Sequence, residues 1–97
     1  MADNKEQKIK FSSSDDLLKG NYSNFMQIRH NKFEFVMDFF LAVPPRGELV
    51  SRVITNPAHA KKVAQALQEN IRIYEEKFGK IENIKQVRPK NMGFTQK

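Results

Sequence analysis

The segment from Phe33 to Val43 constrains this chain more than any other. Phe33, Phe35, Met37, Phe39, Leu41 and Val43 occupy every second position, with Glu34, Val36, Asp38, Phe40 and Ala42 between them. An apolar period of two is the mark of a strand, whereas a helix would scatter the first set around its circumference. Pro44 and Pro45 end the run, because proline has no N–H to give to a ladder.

The flanking segments supply partners for this strand. Tyr22 to His30 also alternates, with Tyr22, Asn24, Met26 and Ile28 on one side and Ser23, Phe25, Gln27 and Arg29 on the other. Asn31-Lys32 is read as a two-residue hairpin turn, since Asn tolerates positive φ. That register sets His30 opposite Phe33, Arg29 opposite Glu34, Ile28 opposite Phe35 and Met26 opposite Met37. Glu48 to Thr55, rich in Val and Ile, is a third strand. Its expected register sets Asp38 opposite Arg52, Val36 opposite Ile54 and Phe40 opposite Val50, and a one-residue slip would invert its faces.

A helix follows. Asn56 is a strong N-cap, and Pro57 is preorganised for the first helical position. Ala60, Val63, Ala64, Leu67, Ile71, Tyr74 and Phe78 then recur at spacings of three and four, and Gly79 closes the helix. The predicted fold is α+β, a three- or four-stranded antiparallel meander followed by one long C-terminal helix packed on one sheet face. Residues 20–81 are expected to form this single domain. Residues 1–19 read as a flexible polar leader, in which Ser12 to Asp16 is too polar to order itself, although Ile9 and Phe11 offer a short edge strand. Residues 82–97 read as a basic flexible tail.

Charge and composition narrow the function. The 97 residues carry 17 Lys+Arg against 11 Asp+Glu, a net charge of +6. Residues 1–19 balance to zero, residues 20–79 to +2, and residues 80–97 to +4. The domain is therefore nearly neutral and the tail basic, which argues less for nucleic acid than a basic domain face would. Cysteine is absent, which excludes a disulfide scaffold, a thiolate zinc site and a cysteine nucleophile. No apolar run approaches the roughly 18 residues of a membrane span, and Met1 to Lys10 lacks the apolar centre of a signal peptide. A cytoplasmic protein is expected.

No catalytic constellation is visible. His30 and His59, the two histidines, have no second ligand at metal-binding spacing. Glu75 and Glu76 diverge by about 100° on a helix and do not share a face. Phosphate-cradling glycine loops and nucleophile elbows are absent. Neither a cofactor nor a metal is expected, and the protein is read as no enzyme. Asn70, near the apolar stripe of the helix, needs a polar partner such as a backbone carbonyl or another subunit. A line of His59, Ala66 and Ile73 recurs every seven residues, as a seam against another helix or the edge of a wide core stripe.

The second sheet face carries more information. It combines Phe25, Val36, Phe40, Val50 and Ile54 with Asp38 and Arg52. A solvent-facing side should be polar, and one helix can cover only one side of so small a sheet. These seven residues are therefore the expected interface, with self-association into a dimer or tetramer as the first reading. The competing expectation is that the leader or the tail folds over this face. Asp38 and Arg52 are expected to pair, either as a structural ion pair or as a specificity pair or ligand anchor at an interface. The alternative function is nucleic-acid contact through Arg29, Arg46, Lys61, Lys62, Lys85, Arg88 and Lys90, whose signature is steep salt dependence.

Four blocks in order resemble a small prokaryotic family, the domain of unknown function 3467 family. They are Tyr-Ser-Asn-Phe-Met-Gln-Ile at 22–28, Phe-Glu-Phe-Val-Met-Asp-Phe at 33–39, Ser-Arg-Val-Ile-Thr-Asn-Pro-Ala-His-Ala-Lys at 51–61, and Leu-Gln-Glu-Asn-Ile-Arg-Ile-Tyr-Glu-Glu-Lys-Phe-Gly-Lys-Ile at 67–81. The resemblance implies a short bacterial or archaeal protein of this architecture and brings no activity, cofactor or catalytic residue. It marks Asn24, Asp38, Arg52, Pro57, His59, Asn70, Tyr74, Glu75 and Gly79 as motif positions.

Overall fold

A computed structural model of the chain describes residues 7–83. The element order is α1 (Asp15–Lys19), β1 (Phe25–His30), β2 (Phe35–Val43), β3 (Arg46–Thr55) and α2 (Pro57–Phe78). The three strands form one antiparallel sheet in the order β1-β2-β3. The fold is thus α+β, a three-stranded meander followed by a C-terminal helix. The chain divides into two compact units, Met1–Ala60 and Lys61–Lys97. The first holds the sheet, and the boundary falls just inside α2.

Period-two alternation places β2 at the centre, but its start differs from the sequence reading. Phe33 and Glu34 lie in the loop, and the first pair of the hairpin is His30 with Phe35. The reason is Asn31. Its side-chain oxygen accepts from the backbone N–H of Phe33 at 2.7 Å and of Glu34 at 2.9 Å, and its own N–H donates to the Glu34 carbonyl at 3.0 Å. An Asx turn of this kind holds a four-residue loop and needs no positive φ; among the described residues only glycines have one. Every β1 partner therefore moves two places along β2. Arg29 faces Val36 rather than Glu34, Ile28 faces Met37, and Met26 faces Phe39. Because the shift is even, each side chain keeps its face.

The second hairpin follows the expected register near its open end, with Asp38 opposite Arg52 and Val36 opposite Ile54. A bulge then intervenes between Phe39 and Phe40. Phe39 faces Ser51 while Phe40 faces Leu49, so Val50 is the extra residue and does not pair with Phe40 as expected. Pro44 and Pro45, joined by a cis peptide bond, make a two-residue turn, and β3 already begins at Arg46.

Before the sheet, α1 is a short helical segment within a stretch expected to be irregular. Ser14 caps it by accepting from the N–H of Leu17, and Asp15 and Asp16 occupy its first turn, where acidic groups suit the helix dipole. Ile9 and Phe11 are exposed and form no fourth strand.

Helix α2 has the ends its sequence specifies. Asn56 accepts from the N–H of His59 at 2.7 Å, Pro57 opens the helix, and Gly79 follows it with φ +100°. Asn70 donates to the carbonyl of Ala66 at 2.9 Å, which satisfies the polar group the sequence left in need of a partner. Arg72 bridges Glu69 and Glu76. Among the described residues no apolar side chain is buried; the one buried side chain is that of Asp38.

Candidate functional site

Register and pleat arrange the second sheet face in three cross-strand rows. At one end lie Phe25, Phe40 and Leu49; in the middle Gln27, Asp38 and Arg52; nearest the first hairpin Arg29, Val36 and Ile54. The Phe25 and Phe40 rings meet at 5.8 Å between centroids, tilted by 56°, a favoured arrangement for cross-strand aromatics. Successive rows are two residues apart along β1 and β2, or about 7 Å, while on β3 the bulge sets Leu49 three residues from Arg52.

The middle row holds the chemistry. Asp38 is 1% exposed. Arg52, directly across the ladder, donates Nε to Oδ1 at 2.6 Å and Nη2 to Oδ2 at 2.9 Å, a bidentate pair. Arg29, diagonally placed on the opposite strand, donates Nη1 to Oδ2 at 3.1 Å. The two guanidinium groups remain substantially exposed, Arg29 at 53% and Arg52 at 38% of their side-chain surface. Hydrogen bonding from Arg52 holds the Asp38 carboxyl below the usual carboxylate range; burial works against this, and Arg29 adds to it. The same contact raises the Arg52 pKa.

At the entry to β1, Asn24 acts as an extra rung of the sheet. Its side-chain amide donates to the Ala42 carbonyl at 3.0 Å and accepts from the Ala42 N–H at 2.8 Å. The sequence marked Asn24 only through family resemblance, because an asparagine before a strand has no distinctive periodicity.

Of the seven expected interface residues, Phe25, Val36, Asp38, Phe40, Arg52 and Ile54 come together on this face, and Val50 occupies the bulge. Leu49 and Gln27, absent from the sequence expectation, join them. Arg29, expected among the nucleic-acid contacts and opposite Glu34, becomes a partner of Asp38 through the two-place register shift. The other expected nucleic-acid contacts do not gather around it within the sheet. Arg46 pairs with Val43 at the far hairpin, on the opposite face and at the opposite end from Arg29. Lys61 and Lys62 belong to α2, in the second unit, and Lys85, Arg88 and Lys90 lie outside the described residues.

Among the described residues the remaining titratable groups form no centre. His30 stacks on Phe35 at 5.2 Å, and Glu75 accepts from the N–H of Ile81 at 2.9 Å. Among the described residues no group of three or more His, Asp or Glu side chains could hold a metal ion, and no helix is long and apolar enough to cross a membrane. A hollow of about 260 Å³ beside the second hairpin is lined by Leu41, Val43, Arg46, Gly47 and Glu48; it is shallow and open.

Residues 1–83 match a family model described as protein of unknown function (DUF3467). The match spans most of the chain, and the chain belongs to this family. No curated protein and no solved structure matches it.

Proposed function

We propose that this member of the DUF3467 family is a non-enzymatic assembly and binding module of the cytoplasm, working through its second sheet face as a homo-oligomer. One observation carries the reading. Apolar rows flank a buried carboxylate on that face, in a protein with no buried apolar side chain among its described residues. The apolar residues of this face are half-buried, with Ile54 exposed, and a contiguous apolar patch that solvent still reaches marks an interaction surface. A chain this small gains much of its attainable burial by association, and closed two-fold assemblies are the commonest outcome. Exposed apolar groups elsewhere, such as Met26, Ile28 and Val53 on the first face and Leu67 and Phe78 on α2, provide further surface for assembly.

Light scattering after size exclusion, at low and high salt, tests this. A dimer or tetramer that resists salt, carries no nucleic acid and binds a hydrophobic dye is the expected result. A monomer at high concentration that binds no such dye overturns it. A monomer that co-purifies with nucleic acid only at low salt instead supports the alternative built on Arg29, Arg46, Lys61, Lys62 and the basic residues of 85–90, because phosphate contacts release counterions.

A further inference from the structure

We infer that α2 pairs antiparallel with the α2 of a second copy, about a two-fold axis that passes beside Gln68. The inference rests on the reading of a homo-oligomer and adds a second contact between copies, made by the helix and not by the sheet.

The seam follows a repeat of seven. Ala60, Leu67 and Tyr74 recur at one position, and Ala64, Ile71 and Phe78 at a second, four residues further on. Alternating steps of four and three are those of the two positions that face a partner helix in a coiled coil. Leu67, Ile71, Tyr74 and Phe78 are all exposed, Phe78 at 71%. The line of His59, Ala66 and Ile73 lies beside these positions and is not the seam.

Side-chain size decides the orientation. The N-terminal half of the stripe carries the two alanines. The C-terminal half carries Tyr74 and Phe78, whose rings meet at 5.0 Å between centroids. In a parallel pair alanine would face alanine and ring would face ring, leaving a gap at one end and crowding at the other. In the antiparallel pair Ala60 faces the second copy's Phe78, Ala64 faces its Tyr74, and Leu67 faces its Ile71. Large meets small in the outer layers, and the central layers are matched.

Charge agrees with size. Lys61, Gln68 and Glu75 form a line along one flank of the stripe, seven residues apart. In an antiparallel pair this line runs against itself. Lys61 faces the second copy's Glu75, Gln68 faces its own mate, and Glu75 faces the second copy's Lys61. A line that is basic toward the N-terminus and acidic toward the C-terminus is the reverse of what the helix dipole favours, so it is the pair that it suits. Glu75 also accepts the Ile81 N–H at 2.9 Å, and a carboxylate has acceptor sites for an ammonium as well. Val63, Asn70 and Lys77 line the other flank, where the same pairing sets no like charges opposite each other. Arg72, Glu69 and Glu76 bridge among themselves on the side of α2 away from the stripe.

Charge reversal in the full chain is the test, read by sedimentation and light scattering at low salt, with far-UV ellipticity to confirm the helix. Lys61→Glu alone and Glu75→Lys alone should each weaken association about tenfold, because the two-fold puts like charges together at both ends of the pair. Mixing the two single variants should restore the wild-type affinity, and so should the double variant Lys61→Glu/Glu75→Lys. In a parallel pair residues 61 and 75 lie about 21 Å apart along the axis, so a mixture that does not recover overturns the inference. Leu67→Asp, in a central layer, should leave only the assembly made through the sheet. If it lowers stability and leaves the assembly intact, another surface covers the stripe and the inference fails. A wild-type oligomer indifferent to both charge reversals refutes the helix contact alone, and a wild-type monomer at high concentration refutes the homo-oligomer as well.

Discussion

Replacing Arg52 by methionine tests how the charge cluster is divided. Methionine keeps an apolar stem and removes the guanidinium, so the loss reports charge and hydrogen bonding more than packing. In the variant, Asp38 is still enclosed but loses the bonds at 2.6 and 2.9 Å and keeps the 3.1 Å bond from Arg29. A hydrogen bond to a charged group contributes about 1.5–3 kcal/mol. Arg52 is 38% exposed, and water screens and partly replaces what it gives. The expected loss is about 2 kcal/mol for Arg52→Met and about 1 kcal/mol or less for Arg29→Met, which removes one longer bond from a more exposed group. With a urea slope of about 1 kcal/mol/M for a small domain, the Arg52 variant should unfold roughly 2 M earlier. The chain has no tryptophan, so far-UV ellipticity is the signal, at one fixed protein concentration because association adds stability by mass action. If Arg29→Met costs as much as Arg52→Met, or if both cost under about 0.5 kcal/mol, the division of bonds described here is wrong.

Acid should unfold the sheet through the same cluster. The Asp38 carboxyl lies below its ordinary value of 3.8 in the folded protein, so the unfolded chain takes up its proton first as pH falls. Stability from this group is complete above about pH 5 and is lost as pH drops through 3.8 toward the folded value, so the urea midpoint of the wild type should fall more steeply below pH 4 than that of Asp38→Asn. Asn24→Ala removes both side-chain bonds to Ala42 and should cost about 1–2 kcal/mol with faster exchange of the Ala42 amide; unchanged exchange there would show that the rung is not formed. Asn56→Ala removes the cap at His59 and should cost about 1 kcal/mol in the thermal unfolding of helix ellipticity.

Much of this architecture is legible in local patterns. Alternation sets β2 against its neighbours because face and period are the same fact. Asn56, Pro57 and Gly79 bound α2 because each suits a backbone conformation that only a helix end requires. Asp38 finds Arg52 because two lone charges in apolar strands, brought to the same face, pair more cheaply than they stay apart. The failures are of another kind. Val50 leaves the ladder through a bulge, and nothing in Glu48-Leu49-Val50-Ser51 distinguishes the bulged residue. Short α1 falls in a leader expected to be flexible, although Ser14 followed by two aspartates suits a helix start. The sequence reading of Asn31 rests on its tolerance of positive φ, whereas its side-chain oxygen is the operative group.

That last difference decides the character of the site. With His30 opposite Phe33, the β1 residue facing Asp38 would be Phe25, and Arg29 would lie four residues further along the strand, beyond reach of the carboxylate. In the observed register Gln27 faces Asp38, and Arg29 is one diagonal step away. The same sequence therefore yields an Asp38–Arg52 pair in one register and a three-membered cluster with Arg29 in the other, and the Asn31 bonds to Phe33 and Glu34 favour the second. Asn31→Ala should accordingly do more than cost about 1 kcal/mol of turn stability. It should loosen the β1 register, broaden the Arg29 Nε–H resonance and leave the Arg52–Asp38 signals sharp, since β2 and β3 are joined by a separate turn. Loss of both arginine signals together would mean that the cluster, and not the loop, sets the register.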